Sequence, residues 1–136
     1  MVNMLFLFVV LFTLYKSFVQ VFQRHEHRNN YISFENVAFL FLVYTNVLIG
    51  FSLVYTLFEM KGIPVLVEGG SILEGGFIEI MGSSLYFSAI TLLSVGYGDI
   101  TPIGFGRGFA VVEALIGYII PAAFVVRSMV DFEGRT

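Results

Sequence analysis

The sequence predicts an all-α membrane protein, and three observations carry that prediction. Of its 136 residues, 57% are Ala, Val, Ile, Leu, Met, Phe, Trp, Tyr or Cys, the mean hydropathy is +0.89, and only 12% are charged. A soluble domain carries roughly 45–50% apolar residues and about 25% charged ones. Second, Val37 to Phe58 runs without a charge, and Phe105 to Val130 is interrupted only by Arg107, Glu113 and Arg127. A hydrocarbon core of about 30 Å needs roughly 20 helical residues, which both stretches supply. Third, the apolar block from Gly82 to Leu93 would cover only about 18 Å as a helix, too short to cross and so re-entrant.

Composition also excludes whole classes. The net charge of −3 without a basic cluster argues against nucleic acid, and the absence of Cys argues against a disulfide scaffold. So apolar a chain is not a disordered tail. No metal-ligand cluster, nucleophile elbow or phosphate loop is present, so neither an enzyme nor a cofactor is expected. A chain this short has room for few spans, so it is expected to assemble with copies of itself.

The first apolar block, Met1 to Tyr15 and on to about Phe22, is harder to place. It lacks the polar face of an interfacial helix, the basic start of a secretory signal and a small-residue cleavage site. A third spanning helix is the favoured reading, with an interfacial helix or a signal as alternatives. Two regions follow: an N-terminal hydrophobic helix and linker over 1–35, and a unit over 36–136. The latter divides into an outer helix 36–58, a loop 59–81, a short helix 82–93, a glycine-containing stretch 94–99 and an inner helix 105–130.

Charge between the blocks predicts orientation. Lys16, Arg24 and Arg28, with His25 and His27, lie between the first and second blocks; Glu59, Glu68, Glu74 and Glu79 face a single Lys61 in the 59–81 loop. By the positive-inside rule the 16–35 linker is cytoplasmic and 59–81 extracellular, and the chain end, with Arg127 and Arg135, returns to the cytoplasm. Gly62, Pro64, Gly69-Gly70 and Gly75-Gly76 predict turns in that loop rather than a long helix. The two histidines read as solvated linker residues.

The segment Thr91-Leu-Leu-Ser94-Val95-Gly96-Tyr97-Gly98-Asp99 holds the chemistry. Glycines at alternate positions allow backbone dihedrals in which successive carbonyls point the same way. Alone in lipid those carbonyls would be unpartnered, at a cost of several kcal/mol for each group, in the range of about 2–7. Several copies around an axis could instead turn them on a dehydrated cation, replacing its hydration shell.

Ser94-Val95-Gly96-Tyr97-Gly98-Asp99 resembles the Thr-Val-Gly-Tyr-Gly-Asp selectivity filter of potassium channels. The resemblance extends from about Asn36 to Val130 in the order outer helix, turret, pore helix, filter, inner helix. It implies a homotetramer in the lipid bilayer that passes K+ through carbonyls of Ser94, Val95, Gly96 and Tyr97, with Gly98 completing the filter. K+ is then a permeant ligand rather than a cofactor. Ser94 departs from the family's Thr: it keeps the hydroxyl for the innermost site and loses the methyl that restrains the rotamer. Thr91 matches a pore-helix Thr, and Asp99 helps to hold the outer end. Ile90 stands where some members have a buried Glu that partners that Asp.

Further along, Gly117 falls at the family's inner-helix hinge, with Pro121 four residues later favouring a bend. Close helix packing through a small residue is the alternative reading of Gly117. Glu113 is the single carboxylate within a span and is expected either to brace the pore helix through hydroxyls such as Thr91 or Ser94, or to face the cavity below the filter. The loop glutamates would ring the outer mouth of a tetramer, although a solvated loop explains Glu68 and Glu74 as well. Arg107 is expected to snorkel at the outer interface, Arg127 to anchor the other end. No helix carries a basic residue at every third position, as a voltage sensor would, and no ligand-binding domain is expected after Val130. Regulation would then come through the pore, the membrane, the N-terminal helix or a separate regulatory subunit.

Rival readings exist. Gly96-Tyr97-Gly98-Asp99 fits the Gly-x-Gly-Asp of an intramembrane aspartyl protease, but that chemistry needs a second intramembrane aspartate and the chain offers only Asp131, near its end. An accessory subunit would share the spans without needing the 94–99 stretch. A non-selective cation channel is kept in play by Ser94.

Overall fold

A computed structural model describes the backbone of residues 34–133, together with Phe12, Lys16 and Val19. The question of whether the N-terminal block spans, lies at the interface or is a signal falls outside the described residues, as do His25 and His27. Helix α1 is Phe34–Met60, α2 is Phe77–Leu92 and α3 is Gly106–Glu133. Three short strands, β1 (Leu66–Glu68), β2 (Ser71–Ile72) and β3 (Ile100–Pro102), complete the fold.

Helix α1 runs two residues beyond each end of the expected 36–58, and α3 starts one residue inside the expected 105–130 and ends three beyond it. Glu59 continues α1 because its carboxylate is consumed locally. It is nearly buried and accepts the N–H groups of Val65 and Leu66, each at 2.7 Å. A charge that turns back to cap the following loop does not end a helix. Glu59 is thus removed from the acidic ring expected of the loop. The chain leaves α1 through Gly62, at φ +73.

Helix α2 starts at Phe77 rather than at residue 82. The five extra residues include Glu79, whose carboxylate accepts the N–H of Gly76 at 3.0 Å and so satisfies one of the donors orphaned at a helix start. An acidic residue in the first turn also suits the helix dipole. Glu79, like Glu59, is therefore a structural residue, while Glu68 accepts from the Ser83 hydroxyl at 3.0 Å.

The loop after α1 holds a sheet that the glycine-rich sequence showed only as turns. Gly69 and Gly70, at φ +56 and +87, form a two-residue turn of the kind that requires positive φ at both centres. It pairs β1 with β2, Glu68 opposite Ser71. The other edge of β1 pairs antiparallel with β3, Leu66 opposite Pro102 and Glu68 opposite Ile100. Strand β3 follows Asp99 directly, and the N–H of Gly69 donates to the Asp99 carbonyl at 3.3 Å. The hairpin therefore holds the chain just beyond the glycine stretch.

Helix α2 lies between the long helices and packs mostly on α1. Helix α1 runs antiparallel to both of the others: Ser88 meets Leu48 and Thr56 meets Met81 on α2, while Phe58 lies near Phe109 and Tyr44 reaches Gly117 on α3. Tyr55 and Phe87 sit edge to face at 5.3 Å in the centre of the core. Val65, Leu66, Leu92 and Ile100 close it at the strand end.

Little of the remaining apolar surface is covered. Only 33% of the apolar window of α1 and 22% of that of α3 is buried. Val111, Val112, Leu115, Tyr118, Val125 and Val126 all project outward from α3. In a soluble protein such helices would bury a stripe and expose polar residues. Here the exposed faces are apolar too, as lipid or neighbouring copies require.

Candidate functional site

The end of α2 sets up the glycine stretch. Leu93 is the C-cap, and the next residue, Ser94, has φ +56, the sole non-glycine residue at positive φ among the described residues. The Ser94 N–H donates to the Thr91 carbonyl at 3.0 Å and the Val95 N–H to the Ile90 carbonyl at 2.8 Å. These are the two bonds of a Schellman stop, with Ser94 in the left-handed position that usually falls to glycine. A β-branched residue is poorly tolerated there, so the departure from Thr at 94 has a backbone explanation in this chain.

Positive φ recurs at Gly96 (+57) and Gly98 (+80). Residues 94, 96 and 98 thus alternate in the sign of φ with Val95 and Tyr97, an alternation that glycine permits and that lets successive carbonyls turn the same way. The whole stretch from Leu93 to Asp99 is exposed on the single chain, with Tyr97 at 73%. Backbone left this open cannot face lipid.

Asp99 ends the stretch. Its carboxylate accepts the Tyr86 hydroxyl at 2.7 Å and the Ile100 N–H at 3.0 Å. Tyr86 was not singled out from sequence; the signal lay in its place on α2, where a phenol can reach what the missing carboxyl at Ile90 does not. Arg107 lies close by, its Nε donating to the Pro102 carbonyl at 3.4 Å.

Glu113 is fully buried and joins all three helices. It accepts the Tyr55 hydroxyl from α1 at 2.8 Å and is hydrogen-bonded to Ser88 of α2. The hydroxyls that meet Glu113 are those of Ser88 and Tyr55 rather than the expected Thr91 or Ser94. The reason is register: Ser88 lies one turn before Thr91, level with Tyr55. Burial also takes Glu113 off the alternative path, direct exposure to a cavity.

Gly117 and Pro121 meet the other two helices as well. A Cβ at 117 would collide with the Leu92 carbonyl, so close packing requires glycine here. Pro121 lies inside α3 and has no N–H to give the carbonyl four residues back, which is that of Gly117. The Tyr44 hydroxyl supplies the missing bond, donating to the Gly117 carbonyl at 2.7 Å. Thus α1 compensates a defect in α3.

Two outcomes follow for these contacts. Tyr44→Phe should lower unfolding stability by about 1 kcal/mol. The loss should shrink to a few tenths in a Pro121→Ala background, where a backbone N–H returns; equal losses in both backgrounds, read by thermal or denaturant unfolding in detergent, would refute the compensation. At the other end, the Tyr86 hydrogen bond holds the Asp99 carboxyl below the usual carboxylate range, with the Ile100 N–H adding to it. A lowered value means that stabilisation is present above the unfolded-state pKa and disappears as pH falls through the folded one. In Tyr86→Phe the Asp99 titration should move up toward the ordinary carboxylate range. With two aspartates in the chain, Asp99 and Asp131, carboxyl NMR with labelled aspartate resolves it, and an unmoved midpoint would show that Tyr86 is not the cause.

Comparison with known proteins agrees with this architecture. The family described as Ion channel matches residues 37–132. Two curated relatives align along nearly their full length: Protein LctB of Geobacillus stearothermophilus, 37% identical over 130 residues, and Protein LctB of Bacillus caldotenax, 35% identical over 130 residues. In each case the match covers 96% of this chain and 97% of the relative. No solved structure matches the chain significantly. With a short apolar helix and an alternating glycine stretch set between two span-length helices, the chain belongs to this family: it is a membrane protein that works as a passive ion channel, not an enzyme.

Proposed function

We propose that the chain is a potassium-selective channel that conducts through the central pore of a homotetramer. The observation that carries the reading is the alternation of positive φ at Ser94, Gly96 and Gly98, directly after the stop of α2. Carbonyls of Ser94, Val95, Gly96 and Tyr97 then form successive rings of K+ ligands, with the Ser94 hydroxyl at the innermost one. Four copies supply what one chain lacks. They cover the exposed 93–99 backbone and the apolar face of α3, and they place each carbonyl ring around an axis.

In this arrangement α1 is the outer helix, α2 the pore helix, 94–99 the selectivity filter and α3 the inner helix. The loop with β1 and β2 faces the cell exterior, whereas the 16–35 linker and the chain end face the cytoplasm. Asp99, held by Tyr86 and by the hairpin, fixes the outer end of the filter; Thr91 and Glu113 fix its base through α2. Ser94 favours a second outcome, conduction that separates K+ from Na+ poorly, because its side chain is free of the restraint a β-branched Thr would have.

Purified protein in liposomes under a K+/Na+ bi-ionic gradient decides between these. A reversal potential close to the K+ equilibrium value is expected. A value near zero with flux present would make it a non-selective cation channel, and no flux would point to a subunit that needs a partner.

Gating is assigned to α3 at Gly117 and Pro121, where one helical hydrogen bond is already missing and a bend costs least. Pro121→Ala, which restores that bond, should lower single-channel open probability at least twofold. An unchanged open probability would move the hinge elsewhere.

A further inference from the structure

Hydrogen-bond arithmetic at the centre of the helix packing goes beyond conduction. Ser88 Oγ has one proton and two oxygen neighbours: the Leu48 carbonyl of α1, at 3.0 Å, and Oε1 of Glu113. A carbonyl can only accept. If Glu113 were ionised it too could only accept, and one proton would have to serve two acceptors. One of the two contacts would then be a bare approach of oxygen lone pairs. The Tyr55 hydroxyl does not resolve this, because it is used on the other carboxyl oxygen, Oε2.

Among the described residues, the surroundings offer no charge to balance a carboxylate. Ser88, Glu113 and Tyr55 are all at most 1% exposed, with Phe87 against the Tyr55 ring. The basic side chains described at the helix ends are distant in sequence and placed elsewhere. Lys61 is exposed beyond the end of α1, and Arg107, nearly two turns before Glu113, reaches the Pro102 carbonyl. An unpaired carboxylate buried between membrane helices is among the costliest groups a chain can hold.

We propose that Glu113 is present as the neutral carboxylic acid and acts as a hydrogen-bond donor. It forms a directed relay: Tyr55 hydroxyl to Glu113 carbonyl oxygen, Glu113 hydroxyl to Ser88 Oγ, Ser88 hydroxyl to the Leu48 carbonyl. Every proton is used once and every acceptor is matched. The relay ties α1, α3 and α2 together and makes Tyr55 and Ser88 positioning residues for the helix that carries the 94–99 stretch. The assignment does not depend on which cation passes.

Infrared difference spectroscopy of the purified full chain in bilayers tests it at pH 7. The spectrum of wild type minus Glu113→Gln should show a protonated-carboxyl C=O band. In Tyr55→Phe the same band should move to higher frequency, because the carbonyl oxygen loses its donor. A merely structural glutamate would show neither signal. A difference spectrum with only carboxylate bands, or a band unmoved by Tyr55→Phe, would overturn the relay. Glu113→Gln retains a donor and an acceptor, so its thermal midpoint should stay within about 4 °C of wild type, about the shift that ~1 kcal/mol gives in a domain near this size. Glu113→Leu and Ser88→Ala should fall at least twice as far. Loss of folding in Glu113→Gln equal to that in Glu113→Leu would show that the ionised form is required. Because these readouts need no ion flux, a negative liposome result would leave them standing, and their failure would leave the conduction reading untouched.

Discussion

Polar groups buried between the helices of this protein are costly without a partner from the chain itself, and that constraint shapes the structure more than hydrophobicity does. Lipid and a helix surface are both apolar, so burying Leu against Leu gives little preference for one arrangement over another. Unpaired polar groups discriminate strongly, since each is expensive away from water. The points where the three helices are pinned are accordingly polar: Tyr44 on the Gly117 carbonyl, Ser88 on the Leu48 carbonyl, and Tyr55 on Glu113. Each joins two helices that apolar contact alone would let slide.

The same constraint explains the small residues on α2. Ser84 and Ser88 are fully buried, and Ser52 of α1, also fully buried, lies at the same level in the antiparallel register. Small side chains allow α1 and α2 to approach closely; the Ser88 hydroxyl serves the Leu48 carbonyl and that of Ser52 the Ile49 carbonyl at 2.9 Å, whereas Ser84 Oγ is buried without a partner in the chain. The two longer acids treated as loop residues by composition, Glu59 and Glu79, do comparable duty at the helix ends. Charge in this chain is scarce, and where its partners can be traced much of it is committed to backbone donors.

How much of this the sequence reveals depends on the range of the cause. The two long helices and the short one follow from block length, a local property, and so does the turn at Gly69-Gly70. The glycine stretch is legible because its chemistry is contained in six successive residues. What stays hidden depends on partners far along the chain. Strand β3 has three residues and becomes a strand only by pairing with β1, more than thirty positions earlier. Glu113 could be read as a brace from its cost alone, but its partners, 25 and 58 positions away, could not. Tyr86 and Tyr44 look like two more aromatic residues in an aromatic-rich sequence until the fold puts Asp99 and the Gly117 carbonyl against their hydroxyls.

Gly117 shows how a residue can answer two demands at once. It cannot carry a side chain because α2 ends against it, and its carbonyl is released by Pro121 and retaken by Tyr44. A bend at this point would therefore not break a helical bond, which is already absent; it would have to move α3 away from Tyr44 and from the Leu92 carbonyl. Leu92 is two residues before Ser94, so any such motion reaches the base of the glycine stretch directly. The close packing and the weak point of α3 thus fall on the same residue: the contact requires glycine for space, and the freed carbonyl sets how little would be given up in leaving it.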